Sequence, residues 1–275
     1  MVGGADRYGA GRGWHDRPVD TRHVLVFGDS LTFHGPQGPV PVSDPRLYPN
    51  VLAAELERGG AWGPPEACRV RADVVARLGW TARDAWWALT KDPVVATVLA
   101  PRASALVLSV GQMDQLPAAV PTYLRDGIPY LRPGGVRRWV RTVYRRAGPF
   151  VITVTGGRLR QLPQAATDTY LDRLVQAVRL IAPAGDSLPV VLAGPSPWRS
   201  AAYPSQRQHA PAVQAARRWS QRSAVPWVDL DPLVGPSLLD GTANPDGLHW
   251  SWAAHELVGR ALAGALSPGC AADPR

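Results

Sequence analysis

Short, predominantly apolar runs alternate along this chain with longer stretches of helical spacing, and that alternation restricts the fold more than any other feature. His23-Val24-Leu25-Val26-Phe27 stops at Gly28, Ala105 to Val110 stops at Gly111, and Pro189 to Ala193 stops at Gly194. A further strand is expected near Val70–Ala76 and a short one at Trp227-Val228-Asp229. Runs that are apolar at nearly every position are strands covered on both faces, as in parallel sheets. Helical spacing falls between them at 48–58, 81–90, 168–182, 207–223 and 251–266, with Thr81 as an N-cap and Asp84 three residues on. This order predicts an α/β fold, a three-layer α/β/α sandwich with a mostly parallel central sheet. In such sheets the ligand site lies at the carboxyl ends of the strands.

One segment breaks the rhythm. Residues 117–165 are irregular and contain a helix near 136–146, so the fold is expected to carry an irregular helical insertion, with 115–165 a candidate lid. Residues 1–21, Gly-rich and without periodicity, read as a flexible N-terminal segment. Residues 22–266 read as a single catalytic domain and 267–275 as a flexible tail. No linker divides the 275 residues.

Composition excludes several classes. Cys68 and Cys270 are the only cysteines, too few for a disulfide framework or a metal site of cysteines, and no metal or cofactor is expected. The N-terminus lacks the apolar core of a secretory signal, and no apolar run is long enough to span a bilayer. A cytoplasmic protein without integral membrane association is the expectation. The net charge of +8 attracts anions of any kind, nucleic acid included. No zinc-finger spacing, helix-turn-helix or RNP-like motif accompanies it, so nucleic acid is not an expected partner.

Two strand-end motifs carry chemistry. Gly28-Asp29-Ser30-Leu31 follows the first strand, where a serine on a tight turn stands at the open edge of the sheet near helix N-terminal amides. Alone, such a tripeptide reads as a turn cap. Near the C-terminus, Asn244-Pro245-Asp246-Gly247-Leu248-His249 places a carboxylate three residues before an imidazole. Across a Gly-containing turn, Asp246 can reach Nδ1 of His249, fix its tautomer and stabilise the imidazolium.

Taken together, GDSL after the first strand and D-x-x-H before the last helix resemble the SGNH (GDSL) hydrolase superfamily over roughly residues 22–266. The resemblance implies an SGNH/flavodoxin-like fold, with Ser30 as nucleophile, His249 as general base and Asp246 as its orienting carboxylate. It also implies an oxyanion hole built from the Ser30 and Gly79 backbone N–H groups, Gly79 following the second strand. The superfamily's Gly-x-Asn-Asp block reads Gly111-Gln112-Met113-Asp114 here. Met113 stands where an asparagine would donate an N–H, and it has none to give. Loss of one such donor costs roughly 3–4 kcal/mol of transition-state stabilisation. Gln112 is a candidate substitute donor.

The wording of VLVFGDSLTFHGP, DPRLYPNVLAAEL, RLGWTARDAWWALTKDP, GQMDQLPAAVPTYLR and ANPDGLHW is similar to a narrower group, the mycobacterial diglucosylglycerate octanoyltransferases. That resemblance implies transfer of an octanoyl group from an acyl-CoA donor to a glucose hydroxyl of diglucosylglycerate, in methylglucose lipopolysaccharide synthesis. An esterase or lipase that releases free acid would use the same residues. Asp29, Trp80 and Asp114 are candidate substrate contacts. Within the insertion, Val136, Trp139, Val140, Val143 and Tyr144 form one helical face and Arg137, Arg141 and Arg145 another. The arginine face suits the phosphates of a CoA donor. His34, soon after Ser30, is a candidate neighbour of the site, and His255 on the last helix reads as structural.

Overall fold

A computed structural model describes residues 20–267. Cys270 and most of the two expected flexible ends lie outside this range. The first strand, β1 (Asp20–Gly28), starts inside the segment expected to be flexible, because the Asp20 amide donates to the Ala67 carbonyl and the strand pairs from Asp20 onward.

Four further strands join it, β2 (Cys68–Ala76), β3 (Ala103–Ser109), β4 (Val190–Ala193) and β5 (Trp227–Val228), while His34–Gly35 and Gly38–Pro39 pair in a separate short hairpin. Strands β1 to β5 form a five-stranded sheet in the order β2-β1-β3-β4-β5, parallel throughout. Side chains alternate between its faces with a period of two. Val24, Val26, Ala105 and Val107 therefore meet one helical layer, α1 (Tyr48–Arg58) and α8 (Trp252–Leu266). Leu25, Phe27, Leu106 and Leu108 meet the other, α2 (Ala82–Lys91) and α5 (Gln164–Ile181), with Trp219 of α6 (His209–Ser223). Each fully buried aliphatic side chain contributes roughly 1.5–3 kcal/mol. The three-layer α/β/α architecture is thus the direct consequence of strands that are apolar on both sides.

The remaining helices are α3 (Thr122–Gly127), α4 (Gly134–Val154) and α7 (Asp231–Leu239). Helix α7 has no counterpart in the sequence reading: Pro232, Gly235 and Pro236 lower its helix propensity, yet Val234 is buried against the sheet layer. Helix α4 continues through Pro149 to Val154, beyond the expected stop near residue 146.

Register brings three loops to one place. Gly28 at the end of β1 pairs with Ala76 of β2 and Ser109 of β3. The segments that follow, containing Ser30, Gly79 and Gln112-Met113, therefore leave adjacent strands at the same edge. Strand order reverses between β1 and β3, the crevice where open α/β sheets bind ligands.

Candidate active site

Ser30 opens a 3-10 turn, Ser30–Thr32, directly beyond β1. Asp29 caps it: Asp29 Oδ1 accepts from Leu31 N at 2.9 Å, and its carbonyl accepts from Thr32 N at 3.2 Å. Gly28 is required by space, because a Cβ there would stand 1.9 Å from Thr32 Oγ1. Ser30 and Asp29 are both buried. Burial pushes the Asp29 carboxyl up to about 7, against the Leu31 amide, which favours the ionised form; the nearby Asp114 adds to the rise. Asp29 Oδ2 has no hydrogen-bond partner among the described residues. The aspartate thus shapes the serine turn and also borders the cavity beside Ser30.

The histidine motif is built just as locally. Asp246 Oδ1 accepts from Leu248 N at 2.8 Å and His249 N at 3.1 Å, and Asp246 Oδ2 lies 2.5 Å from His249 Nδ1. Burial alone would raise the Asp246 pKa; the Leu248 and His249 amides and the imidazole outweigh it and hold the carboxyl below its ordinary value. Gly247 makes this turn possible. It has φ = 69°, and a Cβ would lie 2.0 Å from the Arg199 carbonyl oxygen. The Arg199 amide in turn donates to the Gly247 carbonyl at 2.8 Å, fastening the turn to the loop beyond β4.

With Nδ1 facing the carboxylate, His249 presents Nε2 as the acceptor nitrogen. Nε2 is buried and has no hydrogen-bond partner among the described residues, Ser30 included. His209 makes a useful contrast. Its Nε2 meets Asp231 Oδ1 at 2.7 Å, but its Nδ1 meets Gln115 Oε1 at 2.8 Å. Both ring nitrogens of His209 are occupied, which is the signature of a tie between loops.

A small cavity of about 30 Å³ lies beside Ser30. Its apolar wall is Leu31, Met113, Leu116, Pro197, Trp198 and Leu248, and Asp29, Gln112 and Ser196 complete the lining. Sequence reasoning missed the part supplied by the loop beyond β4, since nothing in that run of prolines and serines marks it as facing β1. That loop is held by buried polar contacts: Gln115 Nε2 donates to Ser196 O at 2.8 Å and Trp250 Nε1 to Ser196 Oγ at 3.0 Å.

The other expected contacts are distributed differently. Gln112 is at the cavity, but its side chain is engaged: Nε2 donates to Gly194 O at 2.7 Å and Oε1 accepts from Ser196 N at 2.5 Å. This corrects the expectation of a free substitute donor. Asp114 is wholly buried, where Oδ1 accepts from Ala82 N at 3.1 Å and Oδ2 from Thr167 Oγ1 at 2.7 Å. Burial pushes its pKa up to about 6, with the Thr167 and Ala82 bonds opposing. It is a brace between α2 and α5 and is closed to substrate. Trp80 is half-buried against the α2–α5 core and does not line the Ser30 cavity. Gly79 is half-buried in a turn with φ = 74°. Arg137, Arg141 and Arg145 are exposed on α4, and the structure brings none of them to the Ser30 cavity wall.

His34 and His255 extend the site. The His34 ring stacks on His249, centroids 4.1 Å apart and planes at 23°. The His34 carbonyl accepts from His255 Nε2 at 2.9 Å, and His255 Nδ1 accepts from Tyr48 N at 3.2 Å. Burial holds the His255 pKa down at about 4, so it is neutral at neutral pH and bridges α1 to the loop beneath His249. The only sequence signal for His34 was its closeness to Ser30.

No model of a known protein family matches the chain. Two curated proteins do. Diglucosylglycerate octanoyltransferase of Mycobacterium tuberculosis (strain ATCC 25618 / H37Rv) is 36% identical over 245 residues, covering 89% of this chain and 92% of that protein. Its namesake in Mycolicibacterium hassiacum is 37% identical over 245 residues, covering 89% and 94%. Among solved structures, a lipase/acylhydrolase from Enterococcus faecalis superposes with a TM-score of 0.55 at 17% identity, covering 88% of this chain and 93% of that one. The lipase Lip_vut3 from a goat rumen metagenome does so at 0.55 and 12%, covering 90% and 99%. At such identities these two establish the fold alone. Among the described residues no helix is long and apolar enough to cross a membrane. On sequence identity across nearly its whole length, the chain belongs to the diglucosylglycerate octanoyltransferases, serine-type acyltransferases of the SGNH family.

Proposed function

We propose that the protein transfers an octanoyl group from an acyl-CoA donor to a glucose hydroxyl of diglucosylglycerate, through an acyl-enzyme on Ser30, as a step of methylglucose lipopolysaccharide synthesis. The observation that carries the chemistry is His249: Nδ1 is fixed 2.5 Å from Asp246, and Nε2 has no hydrogen-bond partner among the described residues. His249 Nε2 takes the Ser30 Oγ proton as Oγ attacks the thioester carbonyl. The tetrahedral oxyanion forms against the Ser30 and Gly79 N–H groups, with Met113 contributing no side-chain donor. Collapse expels the CoA thiolate, which takes the proton from His249 and leaves octanoyl-Ser30. A sugar hydroxyl then gives its proton to Nε2 as its oxygen attacks the ester, and Ser30 Oγ leaves with that proton.

A cavity of about 30 Å³ holds roughly one water molecule. An octanoyl chain needs more room, so donor binding must displace part of the Leu116, Trp198 and Leu248 wall. Leu116 belongs to the 115–165 insertion, whose returning segment is tied back beside it: Gln161 N donates to Leu116 O at 3.0 Å and Leu162 N to Asp114 O at 3.2 Å. The insertion is therefore the element suited to opening for the acyl chain and to covering the acyl-enzyme against water. Arg137, Arg141 and Arg145, with i,i+4 spacing on α4, are assigned to the donor phosphates.

Intact-protein mass spectrometry after brief mixing with octanoyl-CoA tests this reading. The expected result is a single octanoyl adduct that is absent in Ser30→Ala and is discharged by diglucosylglycerate with formation of acylated sugar. Release of free octanoate at a rate indifferent to the sugar would make the protein a hydrolase instead.

A further inference from the structure

The charge of this chain is concentrated in one place. Between Gly127 and Thr167 there are eight arginines and no acidic residue, while the remaining 22 basic and 22 acidic residues cancel. The whole excess of +8 thus belongs to the insertion that carries α4. No carboxylate on the helix can pair with Arg137, Arg138, Arg141, Arg145 or Arg146 at i,i+4 spacing.

The same helix leaves an apolar stripe uncovered. Trp139 is 66% exposed, Phe150 70% and Val154 69%, and Val136 and Val143 fall on the same side. Successive members of this stripe are spaced to stay on one face of an α-helix over about 27 Å. The buried residues of α4 are Gly148 and Ile152. They lie in register with Arg141 and Arg145 at three- and seven-residue spacing, so the arginine row continues the side that packs on the body. The apolar stripe looks the other way.

We propose that α4 is an interfacial helix that docks the enzyme on an anionic lipid surface, its apolar stripe entering the headgroup boundary and the exposed arginines of the insertion not assigned to the donor, Arg132, Arg138, Arg146 and Arg158, supplying the electrostatic attraction. An apolar face bearing Trp and Phe beside an arginine-rich one is the composition that lies in the plane of a membrane surface. A second copy fits worse: a symmetric pairing of two α4 helices would bring like-charged arginines together with no carboxylate from either helix to offset them. The segment that follows α4 is joined to the cavity wall by the bond from Gln161 N to Leu116 O, so docking would bear on an element that borders the Ser30 site.

Flotation of the full chain with vesicles of phosphatidylcholine, alone or mixed equally with phosphatidylglycerol, tests the proposal. The protein should float with the mixed vesicles and not with the neutral ones, and rising salt should release it. Trp139→Asp with Phe150→Asp should lower bound protein by roughly tenfold or more, while turnover of soluble substrates and thermal stability stay unchanged. Absence of binding to mixed vesicles would overturn it, as would equal binding to neutral ones. A concentration-dependent dimer that the double variant abolishes would assign the stripe to a second copy. Vesicle binding undiminished in the double variant, with equal binding to heparin, would reduce the effect to charge alone and would also overturn it.

Discussion

The imidazole of His34 lies flat against that of His249, ring centroids 4.1 Å apart and planes inclined by 23°. Two rings in that arrangement cannot both be imidazolium without mutual repulsion. Burial lowers the His34 pKa first, and the neighbouring His249 lowers it further, with Asp246 pulling the other way. His34 is thus kept neutral, a flat wall that fixes the plane in which His249 presents Nε2. Its own backbone is pinned by the hydrogen bond from His255.

Replacing His34 by Ala removes one face of the slot and is expected to lower kcat by up to roughly tenfold, the equivalent of a lost aromatic contact. His34→Phe keeps the flat face without a titrating group and should retain most of the activity. Steady-state kinetics of the two variants separate these outcomes: equal losses would show that the ring does not act by stacking.

Asp246→Asn preserves the size of the side chain and reverses the direction of one hydrogen bond. The Asn amide would donate to Nδ1, moving the imidazole proton to Nε2 and leaving no acceptor for the Ser30 proton. Single-turnover acyl transfer should fall by roughly 10⁴-fold, with the circular dichroism spectrum unchanged. Retention of activity within a factor of about ten would remove Asp246 from the mechanism.

Gly247→Ala meets two obstacles at once. The backbone is at φ = 69°, and the added carbon would press on the Arg199 carbonyl. The left-handed conformation alone costs an L-residue roughly 1–2 kcal/mol. A lower melting temperature and a larger loss of kcat than of stability are expected, since the turn that breaks is the one joining Asp246 to His249. Normal kinetics in a folded Gly247→Ala protein would show that the turn tolerates a shift.

Asp29 gives the protein a pH-dependent weakness. Its folded pKa of about 7 stands above the value of 3.8 expected when unfolded, so folding takes up a proton between those limits. The stabilising contribution is complete below the unfolded value and is lost as pH rises towards about 7. Asp29→Asn keeps an acceptor for Leu31 N without the ionisation. Its stability relative to the parent should rise with pH, by at most roughly 4 kcal/mol at pH 8. His255, shifted in the opposite direction, remains in both proteins and drops out of the comparison, whereas Asp114, coupled to Asp29, adds its own relief to the gain in Asp29→Asn. Denaturant titrations at pH 5 and pH 8 supply the test; a difference that does not grow with pH contradicts it.

Much of this was legible in the residues themselves. Strands that are apolar at nearly every position announce a sheet covered on both faces, and Leu25 and Phe27 against Val24 and Val26 settle which side chain meets which layer. Asp246 and His249 are close because a Gly-containing turn leaves them no other arrangement, and Thr81 with Asp84 shows the start of α2, where the carboxylate accepts from Thr81 N at 2.9 Å. These are local properties, fixed by a few consecutive residues. What the tertiary structure alone decided is which polar groups are occupied and which faces are covered. Gln112 and Asp114 are consumed by partners from the loop beyond β4 and from α5, far away in the chain, and His34 meets His249 across most of its length. The valine and tryptophan face of α4 has the spacing of a packed helix, yet Trp139 stays exposed. Periodicity fixes the sides of a helix, whereas burial depends on what the rest of the chain brings within reach.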